Sequence, residues 1–148
     1  MKLRFTKGTG KTDTLEVVRP DHRRELISCP KQRILPHDMM HFAVEQALGV
    51  RGFLTRVHEG EAASFVMETD AMTDAVERLV EVFQGDAWSG GQTPPPEMLD
   101  LYAVTCRARG CAALPVDEAA IVAVREHIRA LTARWDAVPV GGTLELTL

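Results

Sequence analysis

The sequence KLRFTKGTGKTDTLEVVR, residues 2–19, alternates apolar and polar side chains on both sides of a glycine-containing loop. Successive side chains of a β-strand point to opposite faces, so this alternation predicts strands at 2–6 and 14–19. The polar loop at 7–13 joins them as a hairpin. A sheet with one apolar face therefore begins near the amino end of the chain.

The carboxyl end of the chain carries the same alternation. Leu144, Leu146 and Leu148 are separated by polar residues and follow a glycine-containing turn. A short third strand is predicted at 24–28, near the hairpin. Strands from both ends most economically share one sheet, which we expect to be small and mostly antiparallel.

Between these strands the hydrophobic period changes from 2 to 3.6, which predicts helices. The predicted helices cover residues 36–48, 53–58, 70–83, 96–109 and 117–136. Residues 62–68 fit either helix or strand. The predicted fold class is α+β, with four or five helices packed on one face of the sheet.

One segment, GDAWSGGQTPPP at residues 85–96, predicts a long loop because it contains three glycines and three prolines. Long loops within small domains often serve as lids or contact surfaces. Trp88 lies in the middle of this segment. It would either anchor the loop on the core or cover a ligand pocket.

Length and composition predict a single domain over residues 1–148, because 148 residues with 45% hydrophobic content suffice for one core. No apolar run is long enough to cross a membrane, and the first residues lack the apolar block of a signal peptide. The three cysteines are an odd number in a chain large enough to fold without disulfides, which fits free thiols in a reducing compartment. We therefore expect a cytoplasmic protein.

The charge is unevenly distributed along the chain. The net charge of −4 argues against wholesale nucleic-acid binding. Residues 1–33, however, hold nine Lys and Arg against four Asp and Glu, so the acidic excess lies in the remainder. Either the two parts attract each other within the fold, or the front segment presents a surface that faces an anion.

The sequence GTGKT at residues 8–12 resembles the end of a phosphate-binding P-loop but does not fit its requirements. The motif needs a glycine five positions before the Gly-Lys pair, and Phe5 stands there. It also needs a following helix, whereas residues 14–19 read as a strand. A hairpin loop accounts for these residues.

The strongest constellation lies on the helix predicted at 36–48. His37 and His41 are four residues apart and stack on one helix face, close enough to share a metal ion. Glu45 extends the row by one more turn along the edge of the apolar stripe. Two histidines and a carboxylate would hold a divalent metal such as zinc, manganese or iron and leave a position open for water.

Two further residues complete the predicted site. A fourth ligand could come from His22, His58 or His127. His58 is the favoured candidate, because its segment follows the histidine helix directly. Asp38 stands where zinc peptidases of the HExxH type carry their catalytic glutamate, which makes it a candidate base one methylene shorter. Structural roles would explain these residues equally well, because Asp38 can interact with the helix dipole and His41 can bond a backbone carbonyl.

Three functions follow from these features. The default is a non-enzymatic binding or regulatory module, with homo-oligomerisation and a protein or small-molecule partner left open. The second is a metal-dependent hydrolase or metal-binding protein that uses His37, His41 and Glu45. The third is a small-ligand carrier in which the loop at 85–96 closes over a cleft.

Overall fold

The computed structural model describes residues 1–63 and 70–148, so most of the segment at 62–68, left open by the sequence, lies outside the described residues. The described elements are strands β1 (Lys2–Thr6), β2 (Thr12–Val18), β3 (Arg24–Pro30) and β4 (Thr143–Thr147), and helices α1 (His37–Leu48), α2 (Phe53–His58), α3 (Ala71–Trp88), α4 (Pro95–Arg109) and α5 (Glu118–Asp136). The predicted α+β class is confirmed.

The four strands form one antiparallel sheet in the order β3-β2-β1-β4. Strands from both ends of the chain share this sheet, as predicted, and the first and last strands are neighbours in it. Apolar side chains from three strands lie in register on the covered face. They are Leu3, Phe5, Leu15, Val17, Leu144 and Leu146. Because this face is buried, a slip of one residue in register would expose the whole set.

The opposite face of the sheet is charged, as the alternation predicts. Arg4 bridges two strands, with its Nε 2.8 Å from Glu145 and its Nη1 3.3 Å from Glu16. Lys2 and Arg24 add pairs to the same two carboxylates at 3.0 and 3.2 Å. Exposed pairs contribute little stability individually, but they neutralise part of the basic front segment within the sheet.

Helix α1 lies at the centre of the helical layer, where it packs against α2, α3 and α5. It begins after Pro36 and ends at Gly49, whose φ of 61° supplies the left-handed C-cap. The helix predicted at 117–136 is confirmed as α5, and apolar residues three or four positions apart form its buried face: Ile121, Val124, Ile128, Leu131 and Trp135. Of the described residues, no helix is both long and apolar enough to cross a membrane.

The predicted loop at 85–96 is wrong over its first four and last two residues, because α3 continues through Trp88 and α4 begins at Pro95. A glycine inside a helix costs about 1 kcal/mol, and tertiary contacts of the next residue offset that cost. The carboxylate of Asp86 lies 3.2 Å from two nitrogens of Arg125 and accepts from the Thr93 amide at 3.0 Å. The irregular connection is therefore only residues 89–94.

Trp88 itself is exposed over 56% of its surface and is not a core anchor. Its indole Nε1 donates to the Gln32 carbonyl at 2.7 Å, which ties the end of α3 to the segment at 31–36 between β3 and α1. Two apolar residues of the neighbouring helices are also exposed, Met72 of α3 at 43% and Leu101 of α4 at 51%.

Candidate metal centre

The packing of α1 against α3 brings three potential metal ligands together. His37 and His41 occupy successive turns of α1, and Glu77 of α3 lies opposite them. Ligand atoms of the three residues all lie within 4.8 Å of one another. His41 Nε2 is 2.8 Å from one oxygen of the Glu77 carboxylate, and His37 Nε2 is 3.3 Å from the other.

The other ring nitrogen of each histidine is held by a second partner. His41 Nδ1 lies 3.2 Å from Glu45 Oε2, and His37 Nδ1 lies 3.1 Å from Gln84 Oε1. The Gln84 amide is itself oriented, because its Nε2 donates to Gln32 Oε1 at 3.1 Å. Histidines that bind metals commonly donate one ring N–H to a carboxylate or carbonyl oxygen, which directs the other nitrogen at the ion.

Glu45 is almost wholly buried, and both oxygens of its carboxylate accept hydrogen bonds. It therefore contacts His41 but is not one of the three clustered ligands, His37, His41 and Glu77. One of its oxygens accepts from the amides of Gly52 and Thr55 at 3.1 and 2.9 Å and from the Thr55 hydroxyl at 2.8 Å. The other accepts from Leu54 N at 3.1 Å. Glu45 therefore satisfies the free amides that begin α2, while the same carboxylate orients His41.

The charges of the cluster are strongly coupled. Burial by itself lowers the pKa of His41, but hydrogen bonds to Glu45 and Glu77 outweigh burial and raise it to about 9. Burial likewise acts to raise the pKa of Glu77, yet the two histidines hold it far below its usual range. Without a metal, His41 is therefore an imidazolium between two carboxylates.

The two remaining residues predicted for the site lie elsewhere. His58 is the last residue of α2 and is exposed, and the structure does not bring it into the cluster. Asp38 is half-buried with an oxygen 3.7 Å from Cys29 Sγ, so it faces the sheet. Burial raises the pKa of Asp38, and burial with Asp38 nearby raises the pKa of the Cys29 thiol to about 12. Cys29 is consequently a neutral thiol at physiological pH.

Glu77 and Gln84 were not predicted as site residues, although both contact the predicted histidines. They lie seven residues apart, hence on one face of α3, beside the apolar stripe that includes Val76 and Val80. Two polar residues seven positions apart along the edge of an apolar stripe could have indicated a functional site. The sequence of α3 alone does not show that this edge packs against α1.

Comparison of the chain with protein-family models, with curated proteins and with solved structures finds no match. Function is therefore inferred from the geometry of the cluster. Two imidazole nitrogens and one carboxylate form the donor set of several catalytic zinc sites, and the same donors suit manganese and iron.

Gly52 provides a first test of the packing behind His41. A Cβ atom at this position would lie 2.7 Å from both the Glu45 carboxyl carbon and Val76 Cγ1. We expect Gly52→Ala to destabilise the protein by about 1–3 kcal/mol, because the buried carboxylate must shift and its hydrogen bonds lengthen. Urea unfolding followed by circular dichroism would measure this. Gly10→Ala is the control, since no atom lies within 4 Å of its added Cβ.

The coupled charges predict how the stability of the metal-free protein depends on pH. The pKa of His41 rises from 6.5 to about 9 on folding, so its contribution is complete below pH 6.5 and is lost as pH increases toward 9. The pKa of Glu77 falls from 4.5, so the same interaction is also lost under acidic conditions. The loss on the alkaline side should be on the order of 3 kcal/mol.

Urea unfolding of metal-free protein at intervals from pH 5 to pH 9 would measure that loss. His127 is an exposed histidine of α5 outside the cluster, so His127→Gln should reproduce the wild-type profile. A free energy of unfolding that stays constant between pH 6.5 and pH 9 would contradict the assignment of His41 as an imidazolium.

Proposed function

We propose that the protein binds a divalent transition-metal ion, of which zinc, manganese and iron are the candidates, between His37, His41 and Glu77. One observation carries the proposal: both histidines engage Nδ1 with a fixed partner while their Nε2 atoms converge on a single carboxylate. The metal would take the place of the proton that His41 shares with Glu77. Its charge would then balance the carboxylates of Glu45 and Glu77.

Access to the cluster supports the same proposal. The side chain of His41 is only 2% exposed, whereas those of His37 and Glu77 are 42% and 28% exposed. An ion can thus approach from the side of His37 and Glu77, while His41 and Glu45 form the buried wall. Three protein ligands leave at least one coordination position open to water or a substrate, as in catalytic metal sites.

Metal-dependent hydrolysis is the reaction class that such an open position favours. The proposal rests on three residues, because the structure places Asp38 against Cys29 and His58 on the surface. A metal site without turnover would instead make the protein a metal-binding or regulatory module. The two alternatives share the same ligands and differ only in what occupies the open position.

Isothermal titration of metal-free protein with Zn²⁺, Mn²⁺ and Fe²⁺ tests the site. We expect one ion per chain, and an affinity at least about a hundredfold lower in His37→Gln, because removal of a ligand should cost no less than removal of its supporting partner. His58→Gln is the matched control and should bind as the wild type does. No binding by the wild type, or equal binding by both variants, would contradict the proposal.

Turnover is tested on the same samples. Metal-loaded and metal-free protein would be assayed with p-nitrophenyl acetate and p-nitrophenyl phosphate. Hydrolysis that requires the metal and disappears in His37→Gln supports a hydrolase. Stoichiometric metal without hydrolysis supports the binding module.

A further inference from the structure

A cavity separate from the metal cluster lies beside the segment at 31–36. This cavity of about 740 Å³ is bounded by that segment, the β1–β2 loop, the end of α3 and one face of α5. Its volume falls within the range of about 300–1,000 Å³ that is typical of small-molecule sites. The residues of the metal cluster do not line it, and Gly90 and Gly91 of the α3–α4 connection lie at its edge.

The interior of the cavity is apolar and its rim is charged. The apolar lining includes Leu35, Met40, Phe83, Ile128 and Trp135. The basic lining residues are Lys7, Lys31, Arg33, Arg125 and Arg129, and the acidic ones are Asp13, Asp86 and Asp136. Positive charge therefore prevails at this cavity, although the chain as a whole carries a net charge of −4.

Most of these charges are already paired within the protein. Arg125 pairs with Asp86, Lys31 with Asp13 at 3.2 Å, and Arg129 with Glu126 at 2.9 Å. The charges left over are two cations, Lys7 and Arg33, and one carboxylate, Asp136; in the described part of the chain none of the three forms an ion pair.

Lys7 is held in position at the cavity. Its Nζ donates to the Trp135 carbonyl at 2.7 Å and lies 4.7 Å from the centroid of that indole ring. An ammonium group fixed over an aromatic wall can still offer its remaining donors to an anion. The cavity therefore offers a ligand the ammonium group of Lys7 next to the apolar ring of Trp135.

Arg33 is also held at the rim, by an unusual backbone. Its φ of 69° lies in the left-handed region, which a residue with a Cβ rarely adopts. The neighbouring Gln32 fixes this turn, because its Nε2 donates to the Leu35 carbonyl at 2.6 Å and its carbonyl accepts from Trp88. Such strain persists only where surrounding contacts enforce it, and it is concentrated at ligand sites.

We propose that this cavity binds a small amphiphilic anion, an aromatic or aliphatic molecule that carries one carboxylate, sulfonate or phosphate group. The anionic group would lie between Lys7 and Arg33, where a guanidinium can form paired hydrogen bonds with planar oxygens. The apolar part would pack against Ile128 and Trp135, which line the cavity. The site does not depend on the metal centre. It would also explain the excess of basic residues at 1–33, because Lys7 and Arg33 both belong to that segment.

Fluorescence titration of metal-free protein with 8-anilinonaphthalene-1-sulfonate tests the site, since this dye combines an aromatic body with one sulfonate. The uncharged N-phenyl-1-naphthylamine is the matched probe. We expect saturable binding of the sulfonate with a one-to-one stoichiometry and weaker binding of the neutral dye. Arg33→Asn should weaken sulfonate binding about fivefold, as expected for loss of one exposed ion pair.

The design of the variants separates charge from folding. Asparagine tolerates a left-handed backbone, so Arg33→Asn removes the charge with little change in the turn. Arg109→Asn removes an equally exposed arginine outside the cavity and should leave binding unchanged. Ala133 is an exposed helical residue that lines the cavity, so Ala133→Trp should fold and should reduce the affinity for both dyes.

Three results would overturn the proposal. The first is an absence of saturable sulfonate binding by the wild-type protein. The second is binding that neither Arg33→Asn nor Ala133→Trp changes, because the dye would then bind elsewhere. A neutral dye that binds as tightly as the sulfonate would equally exclude an anion site.

Discussion

Replacement of Glu45 by alanine is expected to lower the free energy of unfolding by about 3–5 kcal/mol, a large share of the 5–15 kcal/mol that holds a typical domain together. The Glu45 side chain is almost completely buried and accepts hydrogen bonds from three backbone amides at the start of α2. Without the carboxylate these amides lie buried and unpaired, and the His41 imidazolium loses one of its two anionic partners.

Chemical unfolding in urea, followed by circular dichroism, would measure this effect. Glu126→Ala is the matched control, because Glu126 lies on the exposed face of α5 and its one ion pair within residues 1–63 and 70–148 is with Arg129. The control should change stability by less than about 0.5 kcal/mol. A loss below about 1 kcal/mol in Glu45→Ala would show that water or backbone rearrangement replaces the carboxylate at low cost.

The affinity of the proposed site for zinc is expected to increase about tenfold for each pH unit between pH 6.5 and pH 8.5, hence about a hundredfold overall. A metal can bind His41 Nε2 only after this nitrogen loses its proton. The two neighbouring carboxylates raise the pKa of His41 to about 9, so the proton is still bound throughout this interval. Each ion that binds must therefore release at least one proton.

Titration calorimetry in two buffers of different protonation enthalpy would count the released protons directly. His127→Gln leaves the cluster intact and should give the same dependence as the wild type. Zinc binding whose affinity is the same at pH 6.5 and pH 8.5 would mean that the ion does not displace the His41 proton. Such a result would place the metal elsewhere on the protein.

The fold could be predicted from the sequence because its determinants are local. Alternation at residues 2–6 and 143–147 defines two half-buried strands, and the spacing of Ile121, Val124 and Ile128 defines a helix with one buried face. The end of α3 could not be predicted in this way. Gly85 indicates a break locally, whereas the contacts of Asp86 with Arg125 become visible only when the fold brings the end of α3 near α5.

The candidate site was predictable only in part, for the same reason. His37 and His41 lie on one helix, so their spacing alone places them together. Glu77 comes from another helix, and its role depends on how α1 packs against α3. The role of Glu45 depends on the connection after Gly49, which turns the first amides of α2 back toward α1.

The most direct test of the central claim is an anomalous difference map from crystals grown with zinc and measured at the zinc absorption edge. The account predicts one peak per chain, about 2.0–2.1 Å from the Nε2 atoms of His37 and His41 and about 2.0–2.2 Å from a Glu77 oxygen, with both Nδ1 bonds retained. The absence of this peak, with His41 Nε2 still bonded to Glu77, would contradict the account and leave the cluster as a structural ion-pair network.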